Sequence, residues 1–521
     1  RVPLVGVGVC LCFILDPVMA GFGPFILCFL GNPRGDFCLT PRFLAEAKMP
    51  QRPTNQTFFD TTHFRIHYDT TDTAAVGMDY VRLIAGIAEY CWEIEVDSMG
   101  FDEPPPDDTA GGDSRYDIYI VPLWDGAAGY CASEGQGPDH EQEDYITYIA
   151  LSYHLDTTNG QTEAVVAHEF MHACEMSYTA LDGDWFMENC SQWATEMVYP
   201  DLNYYMLYFN MPATPFNRPN YEITHAPYSN PDYYEYAATT WPLFLMFWTA
   251  DTGIIEACWD SMGRHWGNHT LEDIDGVLRR DYGDSLESAM ADYALWRWFS
   301  GRMWDNWHWS EAALWPTVRV LRTHSSYPAS GNEGIFPIYG PGGTDLIVFN
   351  SYGQAESLYI YFDGQDGYTW GASVIGYRSG PGVPSDIYRM DIDTNGYGAI
   401  AVPTLDYDSL VLVPYCLNWP FTTHPLSFIY SANTVSVEEG VLVESGVSGS
   451  LSRERFIFTL PRGGNVCISV YDVSGRLVFG REGLFEAGKN QMNMARPLKP
   501  GIYIWELNFE GMRVMKNSVV F

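Results

Sequence analysis

Basic residues are scarce in this chain. Its 521 residues include 28 Lys and Arg against 66 Asp and Glu, which gives a formal net charge of −38 at pH 7. A surface of that sign repels the phosphates of nucleic acids and of anionic membranes, so we expect neither as a partner. Apolar residues make up 46% of the chain, which is ordinary for a globular protein and allows large cores. The length exceeds what one core supports and predicts about three domains.

Cysteine is present without a recognisable pattern. None of the 11 Cys residues belongs to a C-x-x-C pair, which argues against a disulfide framework. Cys174 and Cys190 could pair in an oxidising compartment or remain buried free thiols. An EF-hand pattern is also absent, although the Asp-rich loops are candidates for a structural Ca²⁺. Four cysteines precede the first predicted folded domain: Cys10, Cys12, Cys28 and Cys38.

Hydrophobic runs long enough to cross a bilayer are confined to the N-terminus. Residues 2–20 are apolar apart from Asp16, follow Arg1 and end in Val-Met-Ala, which resembles a secretory signal peptide with a small-residue cleavage site. A second apolar run over 22–30 leaves one N-terminal membrane anchor as the alternative. We therefore expect residues 1–30 to be a signal peptide or anchor. The polar, Pro-punctuated residues 31–56 are expected to be a linker or short pro-segment.

An H-E-x-x-H motif at positions 168–172 carries the clearest chemistry. Thr162 is a plausible N-cap, and the stretch 163–178 lacks Pro and Gly, so it is expected to be helical. His168 and His172 then lie one turn apart on one face and can bind one Zn²⁺ together. Glu169, beside the first ligand, can take a proton from water at the metal.

A third protein ligand is required for catalytic zinc, and the next predicted helix, 184–197, offers two candidates. Glu188 is the preferred third ligand and Glu196 its rival on the same face. Gln192 lies between them and is expected either to hydrogen-bond a ligand histidine or to face solvent.

These two segments resemble the gluzincin metallopeptidases, whose third ligand lies in a W-x-N-E-G-F-A-x-Y-x-E type helix. The stretch W-F-M-E-N-C-S-Q-W-A-T-E over 185–196 is similar, with Glu188 at the ligand position. It departs at Asn189 and Cys190, where the family favours Gly and an apolar or aromatic residue, and this leaves the subfamily open. The resemblance implies a zincin-like metallopeptidase domain over 57–322 with one catalytic Zn²⁺ and a protein or peptide substrate.

The same resemblance suggests how substrate is held. In zincin-type proteases the strand before the motif helix is the sheet edge to which a peptide adds, a role that falls on 144–154. The Gly-rich, acidic stretch 125–140 is expected to be a mobile loop near the cleft. Tyr236 is the candidate for stabilising the oxyanion. The exopeptidase motif G-x-M-E-N is absent upstream, which favours an endopeptidase. Other candidates for the role of Tyr236 are its neighbours Tyr233, Tyr234 and His225.

Two β-rich regions follow. Residues 323–440 alternate apolar and polar side chains over short runs between Gly, Asp and Pro turns, which predicts a β-sandwich accessory domain. Residues 441–521 contain Y-D-V-S-G-R and G-I-Y elements that resemble the C-terminal Ig-like sorting domains of bacterial type IX secretion cargo. That resemblance implies the secretion machinery as a partner. It leaves membrane contact only through the N-terminal anchor or a sorting-linked attachment.

The combined prediction is a multidomain α+β protein: a zincin-like metallopeptidase domain, a β-sandwich and a C-terminal Ig-like sorting domain. As a whole it is similar to secreted bacterial metalloproteases, and we expect it to be secreted or at the bacterial cell surface. The predicted function is a zinc-dependent endopeptidase. The alternative is a surface adhesion or glycan-binding protein in which the zincin domain is inactive or structural.

Overall fold

The structure is a computed structural model in which the chain has a mixed, multidomain α+β fold. It describes residues 38–40, 44, 49–107, 109–123, 127–138, 143–181, 183–227, 232–334, 337–353, 355–419, 425–435, 448–472, 476–494, 496–499, 501–509 and 512–520. The predicted signal peptide or anchor at 1–30 lies outside these residues. Among the helices that are described, none has the length and apolar character needed to cross a membrane.

The chain divides into two compact units. The first comprises Arg1–Tyr205, Tyr228–Asn230 and Thr252–Thr270; the second comprises Met206–Pro227, Pro231–Asp251 and Leu271–Phe521. This division does not follow the predicted boundary at residue 322, because most helical residues after 206 group with the β-rich regions. The described α-helices are α1 (Met78–Trp92), α2 (Gln161–Glu175), α3 (Asp184–Val198), α4 (Tyr234–Ala237), α5 (Thr240–Thr249), α6 (Ile254–Gly263), α7 (Thr270–Val277) and α8 (Leu286–Trp296).

A five-stranded mixed sheet forms the base of the first unit. Its strands are β1 (Thr57–Asp60), β2 (Phe64–Tyr68), β3 (Tyr116–Val121), β4 (Gly129–Gln136) and β5 (Tyr145–Ser152), in the order β1-β2-β3-β5-β4. Strands β2, β3 and β5 run parallel, whereas β1 and β4 are antiparallel to their neighbours. Helix α2 packs against β4 and β5 on one side and against α1 and α3 on others.

The order of this sheet corrects two predictions about the region before the motif helix. The predicted sheet edge at 144–154 is wrong, because β5 lies between β3 and β4. The predicted mobile loop at 125–140 is wrong over Gly129–Gln136, which forms the edge strand β4. Strand β4 forms because it pairs with β5 through backbone hydrogen bonds, which the local Gly-rich sequence does not predict. The register of this pairing shifts between Ser133 and Gly135.

Helix α2 begins slightly earlier than predicted and without the expected cap. Gly160, with φ of 83°, is the residue before the helix, while the Thr162 hydroxyl donates to the Asp156 carbonyl instead of capping. Inside the motif, Phe170 is fully buried and packs edge-on against Phe64 of β2 at 5.3 Å between ring centroids. Because residues two positions apart point to opposite sides of a helix, this contact turns His168 and His172 away from β2. Helix α3 matches the predicted 184–197 to within one residue.

The second unit combines helices with two β-rich regions. The apolar stretch 236–248 forms two helices and not one: α4 and α5 are separate, because Pro242 lacks the N–H that would continue the hydrogen bonding to Ala238. The first β region has strands β6 (Arg322–His324), β7 (Ala329–Asn332), β8 (Ile338–Tyr339), β9 (Ile347–Phe349), β10 (Ser357–Gly364), β11 (Trp370–Tyr377), β12 (Asp386–Met390), β13 (Tyr397–Pro403), β14 (Ser409–Cys416), β15 (Pro425–Leu426) and β16 (Phe428–Val435).

Each β region has its own hydrophobic core. Sheets of order β13-β10-β16-β7 and β12-β11-β14-β9-β6 share one cluster of buried residues, as expected for a sandwich. The second region contains β17 (Ser448–Leu451), β18 (Arg455–Leu460), β19 (Gly464–Asp472), β20 (Leu477–Phe485), β21 (Gly488–Asn493), β22 (Gly501–Phe509) and β23 (Met512–Val520). Its sheets, β17-β18-β21 and β20-β19-β22-β23, enclose a separate core around Phe456 and Trp505.

Candidate metal centre

Helices α2 and α3 bring three predicted ligands together in the first unit. The Nε2 atoms of His168 and His172 are 3.1 Å apart. From α3, one carboxylate oxygen of Glu188 lies 3.3 Å from the Nε2 of His168, and the other lies 3.3 Å from the Nε2 of His172. All three side chains are buried. Together with Cys38 they form a buried cluster, with one donor atom from each within 4.8 Å of the others, that could hold a metal ion.

The carboxylate of Glu188 is the group that most clearly requires a cation. Its side chain is completely buried, and neither oxygen takes part in a hydrogen bond within the described structure. Burial would raise the pKa of Glu188, but the His172 and His168 imidazoles lower it to about 2. A buried carboxylate held in its ionised form without hydrogen-bond donors is unfavourable unless positive charge lies beside it.

Neighbouring side chains orient both imidazoles toward Glu188. The Nδ1 of His172 is 2.8 Å from a carboxylate oxygen of Glu175 and donates to it, which leaves Nε2 with its lone pair facing the cluster. The hydroxyl of Ser191, on α3, is 3.0 Å from the same Nδ1. Such partners fix the tautomer and ring orientation of a metal-binding histidine.

Gln192 contacts a candidate ligand histidine, which is one of the two alternatives expected for it. Its amide nitrogen lies 3.2 Å from the Nδ1 of His168, while its own oxygen is buried without a hydrogen bond. Rotating the amide by a half turn would let its oxygen accept a hydrogen bond from an Nδ1–H group of His168. In that arrangement the Nε2 of His168, like that of His172, presents a lone pair to the cluster.

Glu169 lies against the edge strand beside the cluster. Its side chain is 1% exposed, and burial raises its pKa to about 8 against the opposing effect of His172. The backbone of Gly129 in β4 approaches it so closely that an added Cβ would lie 2.8 Å from Glu169 Cγ. Gly129 is therefore required by this close approach, and Glu169 has a pKa suited to exchanging protons near neutral pH.

Cys38 is the fourth member of the cluster, and the sequence analysis placed it outside the folded domain. Its thiol is 3.4 Å from a carboxylate oxygen of Glu169. Burial, together with Glu169 and Glu188, raises the pKa of this thiol. A single cysteine 130 positions before His168 has no informative spacing, so only the folded chain reveals that it belongs to this site.

The remaining predicted residues have different surroundings. Glu196 is buried further along α3 but is not a member of the four-residue cluster. Tyr236 belongs to the second unit, where it is buried and stacks on Tyr208 at 5.0 Å between ring centroids; its role at the metal stays a prediction. Cys174 and Cys190 are buried free thiols. The acidic residues described in the loops form no comparable cluster, so structural Ca²⁺ also stays a prediction.

Comparisons with known proteins do not assign a family. No protein-family model and no curated protein matches the chain. Among solved structures, the BSP domain of a biofilm-associated protein matches 33% of this chain and 46% of its own at 10% identity and a TM-score of 0.13. A Parabacteroides merdae β-glucuronidase matches 38% of this chain and 29% of its own at 17% identity and a TM-score of 0.12. In both cases this chain spans less than half of the other protein, and the likeness is too low to support an argument.

Proposed function

We propose that the first unit is a zincin-like, zinc-dependent endopeptidase of the gluzincin type. The observation that carries this proposal is the convergence of His168, His172 and Glu188 at 3.1–3.3 Å, with Glu169 adjacent. Two imidazoles and one carboxylate are a ligand set used by catalytic zinc sites.

The distances within the cluster fit a tetrahedral ion of the size of zinc. With metal–ligand bonds of about 2.0–2.2 Å, neighbouring donors of a tetrahedron lie roughly 3.3–3.6 Å apart. The two Nε2 atoms are 3.1 Å apart, and each lies 3.3 Å from a different oxygen of Glu188, so these contacts are close to that range. Imidazole and thiolate donors also favour zinc over Mg²⁺ or Ca²⁺, which prefer oxygen ligands.

Zinc bound by these residues would supply a Lewis acid that polarises the substrate carbonyl and makes water more acidic. Glu169 performs the proton transfers in this proposal. It takes a proton from the attacking water and later donates it to the departing amine.

The edge strand β4 is the proposed binding surface for substrate. An extended peptide could add to its outer backbone groups as a further strand beside Gly129 and Glu169, in the place where residues 38–40 now lie. Binding along a strand uses backbone hydrogen bonds and does not require a free peptide terminus, in agreement with an endopeptidase. Oxyanion stabilisation by Tyr236 and export through the C-terminal region remain predictions from the sequence.

The test is hydrolysis of casein by zinc-loaded full-length protein, measured with and without a chelator. Because Cys38 belongs to the cluster, Cys38→Ala is assayed beside the wild type. Glu169→Gln in each background should lower the rate by about 10²–10⁴-fold, the usual contribution of general acid–base catalysis, while zinc content stays the same. Glu163→Gln, on the first turn of α2, is the matched control and should keep the parent rate. Cleavage that resists the chelator, or that survives in both Glu169→Gln proteins, would contradict the mechanism.

A second candidate function is favoured by one observation, the presence of Cys38. Four protein ligands close a zinc site, and closed sites are structural and not catalytic. In that case the first unit would be an inactive scaffold, as in the alternative of a surface adhesion or glycan-binding protein. Zinc-loaded Cys38→Ala that cleaves no peptide substrate would support this candidate.

A further inference from the structure

Residues 38–40 lie along the edge strand β4 next to the metal cluster. Cys38 forms a parallel bridge with Gly129, and the Leu39 N–H donates to the Gly129 carbonyl at 3.2 Å. The Thr40 hydroxyl accepts from the Cys131 N–H at 2.9 Å and lies 3.1 Å from the Cys131 carbonyl. This short segment therefore occupies the backbone groups of β4 that an extended substrate would need.

The side chains of the segment are also well anchored. Leu39 is completely buried in a cluster that includes Tyr119, Tyr130 and Tyr148 of the sheet. Thr40 is buried and its hydroxyl is 3.5 Å from a carboxylate oxygen of Glu169. Further along, Arg52 forms ion pairs with Asp107, Asp117 and Glu134, so the chain after the segment is also bound to this unit.

The Cys38 sulfur lies where it could bind a metal ion held by the other three residues. It belongs to the same group of donors as His168, His172 and Glu188. The carboxylate of Glu188, completely buried and 3.3 Å from both imidazoles, also favours positive charge in the space between these donors. A catalytic zinc site needs one position that the protein leaves open, and here the fourth donor is a thiol.

We propose that Cys38 is the fourth zinc ligand and that it holds the peptidase in a latent state. Residues 38–40 block the site twice, because the sulfur fills the coordination position needed by water and the backbone covers the substrate edge of β4. This inference rests on the proposed peptidase function. Residues 38–40 then act as the inhibitory part of the predicted pro-segment, and movement of Cys38 away from the metal activates the enzyme.

Activation replaces the Cys38 sulfur by solvent at the metal position and transfers one proton. Binding of the thiol would form one sulfur–metal bond and release the thiol proton, which the Glu169 carboxylate, 3.4 Å from the sulfur, could accept. Activation breaks the sulfur–metal bond, returns a proton to the sulfur and leaves the position to solvent. No oxidant or reductant takes part.

The first test is spectroscopic and does not depend on activity. The full chain is loaded with Co²⁺ in place of zinc, and the sulfur-to-metal charge-transfer absorption in the near ultraviolet is measured for wild type, Cys38→Ala and Cys174→Ala. Cys174 is a buried free thiol on α2 outside the metal cluster and serves as the matched control. We expect the band in wild type and Cys174→Ala and its loss in Cys38→Ala. A band of equal strength in all three proteins would overturn the assignment.

The unmutated chain provides a second measurement in case Cys38→Ala does not fold. The rate of alkylation of Cys38 is followed by peptide mass spectrometry in the zinc-loaded protein and after chelation. Removal of zinc should accelerate labelling of Cys38 by at least about tenfold, because a coordinated thiolate is unavailable to the reagent. Equal rates in the two states would exclude coordination by Cys38.

Casein hydrolysis then separates latency from the peptidase function. At equal zinc content, Cys38→Ala should be at least about tenfold more active than wild type, since activity scales with the fraction of competent enzyme. If wild type is as active as Cys38→Ala, and both depend on Glu169, the peptidase function stands and latency is refuted. If the cobalt band disappears in Cys38→Ala but the zinc protein cleaves nothing, the proposed function and the latency both fail.

Discussion

Replacing Glu188 by Gln tests the metal centre most directly. The substitution keeps the shape of the side chain but removes the charge that lies 3.3 Å from both imidazoles. Losing a residue that only supports a ligand usually costs about 10–100-fold in metal affinity, so losing a ligand should cost at least 100-fold. Where free metal greatly exceeds the wild-type dissociation constant, a 100-fold weaker affinity removes about 2.7 kcal/mol of metal-linked stabilisation.

That change in free energy should be visible in thermal unfolding. For units of 150–250 residues, 1 kcal/mol shifts the midpoint by about 2–4 °C, so about 2.7 kcal/mol corresponds to roughly 5–11 °C. The assay compares the midpoint of each protein with zinc and with a chelator, so that any effect of the substitution on the metal-free fold cancels. Glu188→Gln should lose most of the zinc-dependent shift that wild type shows.

Glu196→Gln is the matched control for this experiment. Glu196 lies on the same helix, α3, and is also buried, but it is not one of the four clustered donors. It should retain the full zinc-dependent shift. The reasoning is refuted if Glu188→Gln keeps that shift, and a loss confined to Glu196→Gln would identify the rival residue as the third ligand.

Three further substitutions test side chains in or near the metal cluster. Glu175→Gln weakens the partner of His172 Nδ1, so zinc affinity should fall by about tenfold in a chelator competition; unchanged affinity would show that this contact does not orient the ring. Gly129→Ala would place a Cβ 2.8 Å from Glu169 Cγ, so casein hydrolysis in the Cys38→Ala background should fall while zinc content is retained; loss of zinc instead would place the disturbance in the ligands. Burial and the nearby Glu175 raise the pKa of Glu95, whose oxygens make no hydrogen bond in the described structure. The folded protein therefore holds a proton that the unfolded chain releases, and wild-type stability should decrease as pH rises above the ordinary pKa of Glu. Glu95→Gln does not titrate, so its advantage in urea unfolding should grow with pH, and a constant difference would contradict the assignment.

The proposed role of Cys38 determines which protein background each measurement requires. A wild-type preparation that binds zinc without cleaving casein is expected if the segment 38–40 remains on β4. For this reason each comparison of activity includes Cys38→Ala, whereas comparisons of metal affinity use the wild-type background. The Co²⁺ spectrum links the two sets of measurements, because it reports on the thiol without requiring turnover.

Local sequence was sufficient for the two helices that carry the predicted zinc ligands. The spacing of His168 and His172 places them on one face of any α-helix, since residues four apart are one turn apart. Their helix and the following one, with Glu188, were predicted to within a few residues because each has a continuous run without Pro or an interior Gly. The contact between Gln192 and His168 was left open by the sequence, because it depends on how the two helices pack against each other.

Tertiary structure alone decided which strand forms the sheet edge and which residue is the fourth donor. Strand order depends on pairing between segments far apart in sequence, so Gly129–Gln136 becomes a strand only when β5 lies beside it. Cys38 reaches the cluster through its bridge to Gly129, a contact that local periodicity cannot encode. Sequence thus determined the pair of helices that carry the candidate metal ligands, because helical geometry is local. The fold determined that a thiol lies beside these ligands, because that depends on long-range packing.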